Sequence, residues 1–274
     1  MRVISLSTIP SRFEEIGPTL ETLLTQTGHI DEVRLYVPQV YRRFPDYDGS
    51  VPKVPTGISI FRPDHDLGPA SKILFAAKDL RDTDAQILFC DDDQIYGADW
   101  AEQLFEEQAK RPNECVALFG KLLSPETGRT TCGREGATRR NSNFDWQYRV
   151  AKLRHQLSRL GGSPQLAPSR RRIGKSGYAD ILLGYGGVVV RPRFFDEQSY
   201  TIPPVLWSVD DFWLSGMLAR NGVPIWLPAD FFAPLGSSAS DIESLFSATI
   251  DNADRKAANA ACVRYMQETF GVWQ

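Results

Sequence analysis

Ile87-Leu88-Phe89-Cys90-Asp91-Asp92-Asp93 is the stretch on which the reading of this chain turns. Four consecutive apolar residues suit a short strand buried on both faces, and the three carboxylates that follow end it abruptly. Adjacent carboxylates at a strand end repel one another unless a positive charge sits among them. On one reading they are solvated turn residues that cap the next helix. On the other, Asp91 and Asp93, on one side of an extended segment, ligate a hard divalent ion, Mg²⁺ or Mn²⁺, that also takes oxygens from a diphosphate.

Upstream, Val3 to Leu6 reads as a buried first strand, and Ser11 with Glu14 as a capping box opening a helix to about residue 26. Strands over 33–37 and 58–62 flank a Pro- and Gly-rich loop. After a turn at 66–69, a helix over 70–80 leads into the strand at 85–90. Downstream the pattern predicts a helix over 100–110, a strand over 115–119 and a long polar region over 124–176, within which 169–177 has the composition of a flap. A glycine-interrupted strand over 181–190, a helix over 210–220 stopped at Asn221-Gly222, and a closing strand over 223–227 complete it. This alternation predicts one α/β domain over 1–274. Its mostly parallel sheet would be flanked by helices, with ligands beyond the carboxyl ends of the strands.

Composition excludes several classes. The chain has 274 residues, 42% hydrophobic and 24% charged, which describes a folded globular protein. Lys and Arg number 31 against 34 Asp and Glu, a net charge of −3 that supplies no field for a polyanion, so a dedicated nucleic-acid binder is excluded. Cys90, Cys115, Cys132 and Cys262 form no C-x-x-C pair and read as core thiols of a reducing compartment. The first ten residues are too short and polar for a signal segment, and no run approaches the roughly 20 apolar residues of a membrane span. The expected location is cytoplasmic, with peripheral membrane association left open for a lipid-linked substrate.

A second acidic pair stands in Trp207-Ser208-Val209-Asp210-Asp211-Phe212-Trp213-Leu214. Two acids at a helix start are favoured by the helix dipole alone, and they are equally placed for proton transfer. Upstream, Gly184-Tyr185-Gly186-Gly187 either bulges a strand or lets backbone approach a ligand closely.

Taken together, these motifs resemble the GT-A fold glycosyltransferases, family-2-like, over about residues 3–227. The fold implied is the Rossmann-like GT-A sheet, with a nucleotide-sugar half over about 1–120 and an acceptor half over about 121–274. The loop Ser5-Leu6-Ser7-Thr8-Ile9-Pro10-Ser11-Arg12 is similar to the one that meets the nucleotide's base and ribose, implying donor contacts from Ser5, Thr8 and Arg12. Asp64-His65-Asp66-Leu67-Gly68-Pro69-Ala70-Ser71-Lys72 is similar to the family's turn and helix start after the third strand, which brings Asp64 to the donor and Lys72 to its diphosphate or to the acidic cluster. Asp91 and Asp93 become the D-x-D metal ligands, with Asp91 and Asp92 beside the donor. Gly186 and Gly187 line the donor sugar. Asp211 becomes the general base, and Asp210 positions the acceptor or the flap. Trp207 and Tyr185 are the implied acceptor contacts, with Trp146, Tyr148 and Trp213 flanking them.

The implied activity is hexosyl transfer from a nucleotide-diphosphate sugar, with a UDP-sugar expected, to a glycan or glycolipid acceptor with inversion, aided by Mn²⁺ or Mg²⁺. The pattern departs from the family in one respect: His29, His65 and His155 all precede the acidic pair, leaving no downstream histidine for a metal. Either the metal would then have only aspartate and phosphate oxygens, or Asp251, Asn252 or Asp254 would substitute, with Arg255 pairing with a diphosphate. Arg139, Arg140, Arg170, Arg171 and Arg172 are either a solvated loop or contacts to a phosphate-bearing acceptor. A sugar nucleotidyltransferase is the alternative enzyme, but residues 7–12 contain no glycine for its phosphate loop. A noncatalytic sugar- or nucleotide-binding module is the other alternative, and it has no need of two acidic pairs.

Overall fold

A computed structural model describes residues 1–123, 134–139, 145–160, 168–243 and 255–274. The strands are β1 (Arg2–Ser7), β2 (Glu32–Tyr36), β3 (Ile58–Phe61), β4 (Gln86–Phe89), β5 (Gln94–Ile95), β6 (Cys115–Ala117) and β7 (Gly120–Lys121). Then come β8 (Thr138–Arg139), β9 (Ile173–Lys175), β10 (Gly177–Ala179), β11 (Ile181–Leu182), β12 (Val188–Val190), β13 (Ile225–Leu227) and β14 (Leu235–Gly236). The α-helices are α1 (Gly17–Leu24), α2 (Ser71–Asp79), α3 (Trp100–Ala109), α4 (Trp146–Leu160), α5 (Asp210–Arg220) and α6 (Arg255–Phe270).

Among the described residues, eight strands form one sheet in the order β10-β13-β6-β12-β4-β1-β2-β3. The pairs β4·β1, β1·β2, β2·β3 and β6·β13 are parallel, whereas β12 runs antiparallel to both β4 and β6, and β10 antiparallel to β13. Successive side chains of β4 point to opposite faces, yet all four are buried, so both faces of the sheet are covered. Helix α2 packs on β1, β2 and β4, and α3 on β4, β6 and β12. At the C-terminus α6 lies against α5, where Gly216 leaves room for Met266: a Cβ at Gly216 would stand 2.6 Å from its sulfur. This is the expected α/β domain with a mostly parallel sheet, in which β12 and β10 are the antiparallel members.

Several elements differ from expectation for identifiable reasons. The helix expected from Ser11 to about residue 26 is a 3₁₀ turn at Pro10–Arg12 followed by α1 from Gly17. Pro18 has no N–H to donate inside a longer helix and sits in the first turn of α1, where none is needed. The polar region contains α4, and the expected flap holds the strand β9, with Ile173 buried, and ends at the first residue of β10. The apolar run 181–190 divides at its glycines into β11, a 3₁₀ turn and β12. The closing strand β13 is not the sheet edge, because β10 pairs outside it. Cys90, Cys115 and Cys262 are buried free thiols, while Cys132 lies outside the described residues. No helix among the described residues is long and apolar enough to cross a membrane.

Candidate functional site

A cleft of about 880 Å³ opens where the carboxyl ends of β1 and β4 meet the start of α5. Asp91, Asp92, Asp93, Asp210 and Asp211 all line it, together with Thr8, Arg12, Lys72, Tyr185 and Trp207. Two acidic motifs more than a hundred residues apart in sequence therefore share one cavity.

The first is fixed from below. Thr8, just past β1, donates its hydroxyl to Asp92 Oδ2 at 2.6 Å. Arg12 donates Nη1 to Asp92 Oδ1 at 2.5 Å and stands 3.2 Å from Asp93 Oδ2. Thr19 in α1 donates to the Asp92 carbonyl at 2.9 Å. Burial pushes the Asp92 carboxyl up to about 6 against the pull of Arg12 and Thr8. Burial would lower the Arg12 guanidinium, but Asp92 and Asp93 hold it above its ordinary value. Both Asp92 oxygens are thus engaged within the protein. Asp91 is placed by Tyr96, whose hydroxyl accepts from Asp91 N–H at 3.1 Å and donates to its carbonyl at 3.0 Å.

Lys72 joins the two motifs. The Ser5 hydroxyl donates to the Lys72 carbonyl at 2.6 Å, tying β1 to the first turn of α2. The Lys72 side chain then runs between the motifs, its Nζ 2.6 Å from Asp91 Oδ1 and 2.9 Å from Asp210 Oδ2. Burial would lower its pKa, yet Asp210, Asp91 and Asp211 hold it well above the ordinary lysine value. Burial likewise raises the Asp91 carboxyl, opposed by Lys72.

Asp210 and Asp211 occupy the first turn of α5, where peptide dipoles favour negative charge. Asp211 Oδ1 accepts the Gly184 N–H at 2.9 Å. Ser215 donates to the Asp211 carbonyl at 2.5 Å and accepts from Leu182 N–H at 3.0 Å, which fastens the segment before Gly184 to the helix. A Cβ on Gly184 would come within 2.8 Å of Lys72 Nζ and 3.2 Å of Asp211 Oδ1, so glycine lets the backbone reach both. Burial and then the Asp210 charge push the Asp211 carboxyl up to about 7.

The remaining expected residues fall in distinct places. Trp207 lines the cleft but is largely buried, wedged over Gly68, whose φ of +62° and missing Cβ make the space. The Tyr185 hydroxyl accepts from Arg172 Nη1 at 2.7 Å. Ser5 lies fully buried beneath the cleft. Asp64 is exposed and pairs with His65 on the surface. From the same turn it is Asp66 that lines the cleft, accepting from Arg42 N–H and Gly68 N–H at 3.0 and 2.7 Å. Gly186 and Gly187 lie behind the lining, packed on Phe119 and Trp100. Trp213 is a core residue donating to the Ser199 carbonyl, Trp146 is exposed on α4, and Tyr148 stacks with Arg170. Arg140, Asp251, Asn252 and Asp254 lie outside the described residues.

The cleft also takes residues not singled out from the sequence: Pro38, Tyr41, Arg43 and Phe44 in the loop after β2, Lys121 in β7, Ser240 and Glu243, and Asn259 in α6. The signal available was the aromatic and basic content of 38–44. Tyr41 donates its hydroxyl to the Thr8 carbonyl at 2.9 Å, which brings that loop onto the end of β1.

For a divalent ion, donor type and charge fit. Asp91 and Asp93 offer carboxylate oxygens, and the lining holds seven Asp and Glu against four Lys and Arg among the described residues. Asp210 Oδ2, although in an ion pair with Lys72, is buried without a hydrogen bond. No three His, Cys, Asp or Glu among the described residues stand close enough to enclose an ion by themselves. Any such ion would need oxygens from its ligand as well.

No protein-family profile matches this chain, and no curated protein matches its sequence. Among solved structures it is similar to residues 1–349 of S. aureus TarS at 12% identity and a TM-score of 0.46, covering 98% of this chain and 72% of that one. The same segment in complex with UDP gives the same identity and TM-score over 97% of this chain. A longer TarS chain is covered over 44% of its length. This likeness is too distant to assign an activity; the functional reading rests on the cleft itself.

Proposed function

We propose that the protein is a glycosyltransferase of the GT-A type. It would move a sugar from a nucleotide-diphosphate sugar, a UDP-sugar being the expected donor, to a glycan or glycolipid acceptor with inversion. The observation that carries this reading is that the two acidic motifs face one cleft yet differ in environment. Asp91 and Asp93 are ion-paired with Lys72 and Arg12, whereas Asp211 forms no ion pair among the described residues and has a pKa near neutrality, which suits a general base.

A diphosphate entering a cleft with an excess of carboxylates is repelled unless further positive charge comes with it. That is the ground for assigning Mn²⁺ or Mg²⁺ to Asp91 and Asp93, where the ion would stabilise negative charge on the departing diphosphate. Asp211 takes the acceptor hydroxyl's proton. The Gly184 N–H holds its Oδ1, leaving Oδ2 for that proton. Asp210 keeps Lys72 in place, and Lys72 in turn sets the distance between donor and acceptor sides.

Asp211→Asn tests the base assignment. Transfer should fall at least about a hundredfold, while binding of UDP with Mn²⁺, followed by calorimetry, persists. Near-normal turnover in that variant removes Asp211 from the role. Asp93→Ala tests the ion: Mn²⁺-dependent UDP binding should weaken at least about tenfold, and unchanged binding with an intact fold sinks the metal assignment.

A further inference from the structure

Helix α4 faces the wrong way for a helix that only covers a core. Trp146, Val150, Leu153 and Leu157 are 68%, 40%, 57% and 59% exposed. At about 100° per residue the four fall within roughly 60° of one another, forming one apolar stripe along the helix. The side turned toward the protein carries half-buried Tyr148, Ala151, His155 and Ser158 instead. A surface helix ordinarily buries its apolar stripe, so an exposed one marks a surface that something else covers.

Charge identifies the partner. Arg149, Lys152 and Arg154 are exposed on either side of the stripe, and α4 contains no acidic residue, although the whole chain has a net charge of −3. The positive charge is therefore local to this face. The basic run that follows leads from α4 to the cleft. Arg170 stacks on Tyr148 of α4, Arg171 stands 4.5 Å over the half-exposed Phe232 ring, and Arg172 donates to Tyr185 in the cleft lining.

We propose that α4 docks the protein on an anionic lipid surface. Its Trp-Val-Leu-Leu stripe enters the boundary between headgroups and acyl chains, and its basic residues lie among the headgroup phosphates. The helix lies on the membrane and does not cross it, and Arg170 to Arg172 hold the cleft mouth close to the bilayer. That such docking would present a lipid-linked acceptor to Asp211 rests on the transferase reading. The docking itself does not.

Co-sedimentation of the full chain with vesicles tests this without donor or acceptor. Vesicles of about three parts phosphatidylcholine to one part phosphatidylglycerol should carry the protein down, whereas phosphatidylcholine alone should not, and added salt should weaken the binding. Leu153→Glu with Leu157→Glu should reduce partitioning at least about tenfold, since both positions are exposed in the fold and buried only in the lipid. Should that variant lose its native circular dichroism, Arg149→Gln with Lys152→Gln and Arg154→Gln decides in its place, again with a loss of at least about tenfold. Three results overturn the proposal: no binding to anionic vesicles, binding that a folded variant leaves unchanged, or a dimer of the wild type that the leucine changes dissolve. The last would assign the stripe to a second copy of this chain. None of the three alters the outcome expected for Asp211→Asn.

Discussion

Arg12 and Lys72 are both buried cations in the floor of the cleft, and they are paired in opposite ways. Arg12 closes a ring: Nη1 meets Asp92 and Asp93, Nε donates to the Ile242 carbonyl at 3.0 Å, and Thr8 takes the other Asp92 oxygen. Lys72 instead bridges elements distant in sequence, the end of β4 and the start of α5, and leaves its partners partly unsatisfied. Asp91 remains 30% exposed and Asp210 Oδ2 lacks a hydrogen bond. A fully satisfied buried network rigidifies a fold, whereas a partly satisfied one keeps charge available to a ligand. The first pairing is a clasp for the strand ends, and the second is an adjustable link across the site.

Removing the clasp should have the largest effect on stability. Arg12→Met leaves Asp92 buried beside Asp93 with only Thr8 to satisfy it, and breaking a buried pair in this way costs about 3–5 kcal/mol. Urea denaturation should show that loss. At temperatures where the variant stays folded, turnover should fall less than about tenfold, because Arg12 Nη1 and Nε are already committed inside the protein. A variant with unchanged stability but abolished turnover would reverse the comparison and make Arg12 a ligand-binding residue.

Lys72→Met should cost less stability, about 2–3 kcal/mol, since Asp91 can take up water once its partner is gone. Its effect on turnover should be greater than that of Arg12→Met, at least about a hundredfold, because the distance between Asp91 and Asp210 is then no longer set. Lys72→Arg separates charge from geometry: it keeps the cation but cannot occupy the same narrow space below Gly184. Partial recovery of stability without recovery of turnover is expected. Equal losses of turnover in Arg12→Met and Lys72→Met would dissolve the distinction.

How much of this was legible in the sequence follows the range of the forces involved. The ends of β4 and the start of α5 could be read from local apolar runs and the acids that stop or open them. That Asp91 and Asp210 share one lysine could not, because it depends on β12 entering the sheet antiparallel between β4 and β6. In the turn before α2, the sequence expectation fell on Asp64 where the cleft uses Asp66, a choice made by which carboxylate can accept the Gly68 N–H. Similarly, Gly184 rather than Gly186 or Gly187 meets the carboxylates, since the latter two are spent on packing against Phe119 and Trp100. Two further features are written in the sequence itself. Pro18 forbids the long first helix, and Trp146, Val150, Leu153 and Leu157 carry a helical period that the surrounding basic and polar residues obscure.

The smallest expected effect concerns Asp211 and gives the comparison a pH axis. Its folded pKa is raised to about 7, above the 3.8 ordinary for the side chain, so between about pH 4 and 7 the folded chain holds a proton that the unfolded chain has released. The folded state binds more protons there, and stability falls as pH rises through that window. The full shift corresponds to about 4 kcal/mol, and water reaching the cleft reduces this to about 2 kcal/mol. Asp211→Asn removes the ionisation and keeps an oxygen to accept the Gly184 N–H. The variant should therefore match the wild type near pH 4 and exceed it by about 2 kcal/mol near pH 8, read from urea midpoints at intervals between them. Activity should move the opposite way: wild-type transfer rises through about pH 7 as Asp211 loses its proton, over the range in which its stability is lost. A stability difference that stays constant with pH would mean that Asp211 is ionised throughout, and the neutral-range base would have to be sought elsewhere in the cleft.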